Sequence, residues 1–337
     1  MKYQFAAIAM LASAPTLALE AMPDMVPTPM DNPISSAKVE LGKQLFFDPR
    51  LSIDGTVSCN TCHNVMASGT DSRPTSAGIN GLRGGRNAPT VWNAALLSTQ
   101  FWDGRAATLE DQAKGPPLNP IEMGMPSEQA VVDRLEGIPG YKSQFEAIFG
   151  SVTYDNMAKA IASYERTLIT TNSPFDRYMK GDKTAMSKQA IKGMERFNNI
   201  GCSGCHSGVN FAGPALETGT GFFQKFPMFD SPLVDKYDFK KDKGRYEVTK
   251  DDADINTWRV PSLRNIATTA PYFHNGSVNQ LDEAVRVMAA SQLGKKLSSA
   301  EVVEIVAFLE SLTGEFPAQT MPRLPDITGS SQVGSIK

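Results

Sequence analysis

Cysteine and histidine are the residues of this chain whose spacing most narrowly limits their chemistry. Cys59-Asn60-Thr61-Cys62-His63 and Cys202-Ser203-Gly204-Cys205-His206 are two copies of Cys-x-x-Cys-His, and together they use all four cysteines and two of the three histidines. At this spacing two thiols add across the vinyl groups of a c-type haem while the adjoining imidazole reaches the iron. No cysteine is left for a disulfide. A Cys₄ zinc site would take the same thiol pairs but would leave both trailing histidines unexplained. A thioredoxin-like dithiol belongs beside a βαβ pattern, and none surrounds either motif. The expected cofactors are two covalently bound c-type haems.

Two haems need two sets of elements to hold them, and the chain repeats itself accordingly. A helical pattern runs from Ser36 to Phe47 and stops at Asp48-Pro49; Ser187 to Phe197 repeats the design, and Gly42-x-x-x-Phe46 matches Gly193-x-x-x-Phe197. Further on, Asn156 to Leu168 contains Ala162-Ser163-Tyr164-Glu165 and Glu301 to Leu312 contains Ala307-Phe308-Leu309-Glu310. Tyr164 and Leu309 follow their motif histidines by 101 and 103 residues, near-equal offsets that argue for duplication. The excursions 64–150 and 207–283 are dense in Gly, Pro, Asn and Ser, and so are expected to be loops and short helices wrapped over haem. Each half thus reads as a leading helix, an attachment turn, an irregular excursion and a closing helix, the order of a cytochrome c fold. The expected class is mainly α, with two cytochrome c-like domains carrying one haem each.

The domains are expected at 22–172 and 173–313, with a signal peptide at 1–21 and a polar tail at 314–337 that packs weakly or frays. A length of 337 residues with 41% apolar content supplies two cores. A formal net charge of −3 offers no basic footprint for nucleic acid. Lys2, the apolar run from Phe5 and the small residues around Ala18 and Ala21 read as a secretory signal. No later apolar run approaches the roughly 18 residues that span a bilayer. The mature protein is therefore expected in the periplasm, an oxidising compartment outside the cytoplasm, where c-type haem is attached.

The loops after the first motif carry a resemblance. Arg86-Asn87-Ala88-Pro89-Thr90, Phe101-Trp102-Asp103-Gly104-Arg105-Ala106, Gln112-Ala113-Lys114-Gly115-Pro116 and Asn119-Pro120-Ile121-Glu122-Met123-Gly124-Met125 resemble the bacterial di-haem cytochrome c peroxidase family. So do Val260-Pro261-Ser262-Leu263-Arg264-Asn265, Thr269-Ala270-Pro271-Tyr272-Phe273-His274-Asn275-Gly276 and Met288-Ala289-Ala290-Ser291-Gln292-Leu293-Gly294, so that the likeness runs from about residue 34 to 313 in order.

The resemblance implies that hydrogen peroxide is reduced at the N-terminal haem, with His63 on its iron. The C-terminal haem, held by His206 and Met288, then receives electrons and relays them. Spacing alone would leave Met288 as core filler. The resemblance further implies that Glu122 is the acid/base group for peroxide cleavage, that Gln112 orients peroxide or water, and that Trp102 lies between the haems. Asn87, Thr269 and Pro271 match a calcium site built from an amide side chain and two backbone carbonyls. His274 matches a position near the second haem. The implied partners are a small cytochrome c or cupredoxin donor and a second copy of the chain in a homodimer.

One departure stands out. Many family members supply a second histidine to the peroxidatic iron from the loop after the first motif, and here the matching position is Ile79. No histidine lies between His63 and His206. The N-terminal iron is therefore expected to be five-coordinate or water-bound and ready for peroxide without prior reduction. The same absence raises one alternative, a MauG-like oxidase acting on a protein partner, although MauG-like proteins carry Tyr where this chain has Met288; a second, from a different class, is a non-catalytic di-haem electron carrier, which would need neither Glu122 nor an open coordination site.

Overall fold

The computed structural model describes residues 18–23, 26–327, 329, 331 and 333. Helices dominate, and the leading and closing helices each begin at a side-chain cap. Ser35 caps the leading helix Ser36–Phe47 by accepting from the Lys38 amide, and Ser187 caps Lys188–Ile200 by accepting from Ala190. The closing helices are Tyr154–Glu165, capped by Thr153, and Ser299–Glu310, opened by a Ser298/Glu301 capping box. Both start two residues earlier than the apolar pattern suggests, because the cap lies upstream of the first apolar residue, and they end three and two residues earlier.

The repeated glycine explains how each pair of helices meets. A Cβ on Gly42 would lie 1.9 Å from the Ala160 carbonyl oxygen, and one on Gly193 would lie 1.8 Å from that of Glu304. Leading and closing helices therefore cross with backbones in contact, and only glycine permits it. Four residues on, Phe46 packs edge-on against Tyr164 at 5.4 Å and Phe197 packs tilted against Phe308 at 5.2 Å. The equivalent of Tyr164 is thus Phe308, one residue before the Leu309 that the sequence pattern selects.

The first pair of helices anchors a core running from Leu41 to Leu168, and the second anchors one running from Phe175 to Leu312. A third cluster gathers Phe226, Phe239, Trp258 and Tyr272, and Trp102 reaches across from the first half to pack against it. The excursions are irregular as expected, with one exception: Phe223–Lys225 and Thr257–Arg259 form a two-stranded antiparallel ribbon.

Buried asparagines join the two halves. Asn93 donates to Thr170 Oγ1 at 2.8 Å and accepts from the Thr170 amide at 2.9 Å; Asn265 donates to the same hydroxyl at 2.9 Å. Asn210 donates to the Asn93 carbonyl at 3.2 Å. Short amides suit this position because each supplies donor and acceptor together where burial forbids an unpaired group.

The ends of the chain cross over. Of the expected signal segment, residues 1–17 lie outside the described residues, while Ala18 to Met22 run along the C-terminal half. There the Ala18 carbonyl accepts from Gly208, the Glu20 carbonyl accepts from Arg264, and the Met22 amide donates to Asp176 at 2.9 Å. Residues 315–327 of the tail are packed. Glu315 pairs with Thr171, Phe316 packs edge-on against the buried Trp92 at 5.1 Å, Tyr164 donates to Gln319 at 2.9 Å and Arg50 donates to the Pro325 carbonyl at 2.9 Å. Residues 315–327 thus cover part of the N-terminal half, and Phe316 and Ile327 pack against its core. Among the described residues no helix is long and apolar enough to cross a membrane.

Candidate functional site

Cys59–Cys62 form a single helical turn, begun by Ser58 and Thr61 in a capping box, and His63 follows as its C-cap. Cys202–Gly204 form a 3₁₀ turn behind Gly201, whose left-handed φ of 109° ends the preceding helix. No disulfide forms. Burial raises the pKa of all four thiols, Cys202 to about 11, so none is a thiolate at neutral pH. A reactive dithiol needs the opposite, and among the described residues no group of three or more His, Cys, Asp or Glu is gathered for a metal ion.

The histidines are prepared in the same way in both motifs. His63 Nδ1 lies 2.9 Å from the Pro89 carbonyl, and His206 Nδ1 lies 3.0 Å from the Phe211 carbonyl. A carbonyl only accepts, so Nδ1 carries the proton; burial lowers both pKa values and keeps the rings neutral. Each Nε2 is left as a lone pair, the tautomer an iron ligand requires.

Around His206, Cys202 and Cys205 lies a cavity of about 240 Å³ that Met288, on the helix Leu281–Leu293, also lines. Spacing alone could not select Met288; the fold brings it to the cavity of His206. The walls fit a haem, being mostly apolar yet bearing buried donors with no partner among the described residues, such as Trp258 Nε1. Asn87, Thr269 and Pro271 line the same cavity. The Asn87 side chain donates to the Arg73 carbonyl at 2.8 Å, and its Oδ1 accepts no hydrogen bond among the described residues, as a hard-cation ligand requires.

Trp102 stands at the junction of the halves. A tight turn between Gln100 and Ala106 projects it, Gly104 adopts φ 65°, and the indole donates to the Asn87 carbonyl at 2.9 Å. His274 lies edge-on to it at 6.5 Å and stacks on Trp258 at 4.0 Å. Burial pushes the His274 pKa down to about 4, against the attraction of Asp242, so this imidazole is neutral.

In the N-terminal half Glu122 sits on a turn organised by Asn119. The Asn119 side chain donates to Glu122 Oε1 at 2.9 Å and accepts from the Ile121 amide at 3.1 Å, while its carbonyl accepts from Glu122 and Gly124. The sequence reading gave Asn119 no role, although Asn-Pro is itself a turn signal. Burial raises the Glu122 pKa, and the charge of Arg105 and the Asn119 hydrogen bond oppose the rise. Glu122 also acts electrostatically on both Cys59 and Cys62, which puts it in the neighbourhood of the first attachment turn. Gln112, on the short helix Leu109–Ala113, makes no side-chain hydrogen bond among the described residues.

Ile79 is pinned to the same turn. Its amide donates to the Glu122 carbonyl at 2.9 Å, and its side chain fills the space a Cβ on Gly124 would need, with Cδ1 2.3 Å from that position. The loop that carries a histidine in many family members here packs an apolar side chain against the Glu122 turn.

With this geometry in hand, comparison with known proteins gives a consistent result. A sequence model described as di-haem cytochrome c peroxidase matches residues 36–184. The cytochrome c551 peroxidase of Pseudomonas aeruginosa is 47% identical over 315 residues, covering 91% of this chain and 87% of its own length. The cytochrome c peroxidase Ccp of Escherichia coli K12 is 45% identical over 297 residues, covering 86% of this chain and 61% of its own length. Among solved structures, a MauG-like protein associated with microbial copper homeostasis aligns with a TM-score of 0.73 at 28% identity, covering 91% of this chain and 96% of its own.

Proposed function

Because the chain belongs to the di-haem cytochrome c peroxidase family, we propose that it reduces hydrogen peroxide to water, drawing two electrons from a small soluble cytochrome c or cupredoxin. The observation that carries this reading is the pair of imidazoles, each fixed at Nδ1 by a backbone carbonyl beside two thiols, in a chain 47% identical to a cytochrome c551 peroxidase. Cys59, Cys62 and His63 would hold the peroxidatic haem in a domain spanning 22–172. Cys202, Cys205, His206 and Met288 would hold the electron-accepting haem in a domain spanning 173–313. When bound, the two haems supply the redox-active irons between which electrons pass to peroxide.

The residues of the chain supply the rest. Glu122 takes a proton from one peroxide oxygen and returns it to the other, so that with two electrons and two protons the O–O bond gives two waters. Asn119 holds Oε1, which leaves Oε2 for that transfer. Gln112, with no hydrogen bond of its own, orients peroxide or a pocket water. Trp102 fills the contact between halves along which electrons move. Asn87 Oδ1 and the carbonyls of Thr269 and Pro271 would bind a calcium ion there. The protein would work in the periplasm, after removal of a signal segment ending at Ala18 or Ala21, as a homodimer.

Ile79 sets the resting state: with no imidazole to withdraw, the N-terminal site is open in the oxidised protein. The test is an absorption and EPR spectrum of the oxidised holoprotein, followed by peroxide turnover without prior reduction. High-spin iron with immediate turnover is the expected result. Two low-spin haems and a lag abolished by pre-reduction would overturn the open-site reading, and absence of peroxide consumption under any condition would overturn the peroxidase reading in favour of an electron carrier.

A further inference from the structure

The cavity around His206 and Met288 has an uneven charge. Its walls include two arginines, Arg259 and Arg264, and no carboxylate or lysine. Arg264 is neutralised by Asp176 at 2.8 Å in a fully buried pair. Arg259 has no ion-pair partner among the described residues. It is 4% exposed, its Nε donates to the Phe101 carbonyl at 2.9 Å and its Nη1 to the Val260 carbonyl at 3.1 Å, and its Nη2 makes no hydrogen bond among the described residues. The carboxylate acting on it is that of Asp103, already held by Arg86 at 2.5 Å and by Arg105 at 2.8 Å.

A buried guanidinium with only backbone acceptors is costly unless an anion completes it. Burial lowers its pKa to about 10, which still leaves it charged at neutral pH. The group this cavity is built to hold carries two propionates as its only charged substituents, at the edge opposite the vinyl carbons that Cys202 and Cys205 would take.

We propose that Arg259 is the counter-cation of a haem propionate in the C-terminal half, its Nη2 aimed by the Phe101 and Val260 carbonyls at that carboxylate. The arginine also has a second attachment: its amide donates to the Trp102 carbonyl at 2.9 Å. The charge at the haem edge is thereby fixed to the segment of the N-terminal half that carries Trp102. Arg259 is a positioning residue for the electron-accepting site, and it favours the reduced iron because a nearby positive charge offsets an added electron.

The inference rests on the reading that Cys202 and Cys205 bind haem, and a covalent haem count on the wild-type protein checks that reading separately: two per chain are expected. The test of Arg259 is a spectroelectrochemical titration of wild type, Arg259→Gln and Arg259→Lys holoproteins. Arg259→Gln is expected to shift the reduction equilibrium of the Met-ligated haem at least tenfold toward the oxidised form, about 59 mV for one electron, with the other haem unmoved. Arg259→Lys, which keeps the charge but not the fork, is expected to restore the equilibrium to within threefold while shifting the propionate bands in the resonance Raman spectrum. An unshifted equilibrium in Arg259→Gln, or equal shifts at both haems, overturns the proposal. If Arg259→Gln does not accumulate with two haems, Arg259→Lys decides it, and unchanged propionate bands in that variant overturn it.

Discussion

At the scale of single residues, the acid/base role proposed for Glu122 makes a signed prediction. Taking the first proton from peroxide requires the carboxylate, and burial raises the pKa of this group above the ordinary glutamate value. Turnover should therefore fall as pH drops through that raised value, at a higher pH than an exposed glutamate would set. Arg105 opposes the rise, so Arg105→Gln should move the acid limb of the kcat/KM profile further toward alkaline pH. Glu122→Gln should lower turnover by about 10²- to 10⁴-fold, the usual range for a lost general acid/base, with haem content unchanged. A limb that stays in place in Arg105→Gln would separate the titrating group from Glu122.

The residue scale is also where the sequence was most and least informative. Cys-x-x-Cys-His declares its chemistry because the spacing is the mechanism, and the structure adds only the carbonyls of Pro89 and Phe211 that set the tautomers. Met288 and Glu122 are single residues of common types whose partners lie far off in sequence, so resemblance could point to them but spacing could not. Arg259 left no signal, since nothing in a sequence marks a cation as lacking a carboxylate.

At the scale of elements, the Gly-x-x-x-Phe repeat was legible as a repeat but not as a cause. Its cause is the close crossing of leading and closing helices, in which Gly42 meets Ala160 and Gly193 meets Glu304 backbone to backbone. Alanine at either position forces the helices apart and pulls Phe46 from Tyr164 or Phe197 from Phe308. Gly42→Ala and Gly193→Ala are each expected to cost about 1–3 kcal/mol, the range for overpacking, read as a lower midpoint in chemical denaturation of the holoprotein. Wild-type stability in both would mean that the crossings relax freely. The one-residue error in matching Tyr164 to Leu309 has a physical origin too. Apolar pattern alone does not say which of two adjacent apolar residues faces the partner helix, and that choice is made by the crossing.

At the scale of the whole molecule, the two halves are held by shared asparagines and by exchanged ends. Composition suggested a loose tail because polar, Pro-rich sequence lacks a core of its own; the structure lends it one, placing Phe316 on Trp92 and Gln319 on Tyr164. Deleting residues 314–337 should destabilise the protein by a few kcal/mol, on the order of one large buried aromatic. Amide hydrogen exchange should quicken in Ser36–Phe47 and Tyr154–Glu165 while Lys188–Ile200 keeps its protection. Uniform exchange across both halves would show that the tail is not a local cover.

That cover also fixes an order of events during synthesis. Translation runs from the N-terminus, so the half bearing Glu122 and His63 is the first to leave the ribosome and the last to be closed. Its Trp92 and Tyr164 wait for residues 315–327, which emerge only after the second attachment motif has been made. On the proposed export route, which also threads the chain N-terminus first, haem joining Cys59 and Cys62 would meet a half that residues 315–327 have not yet covered.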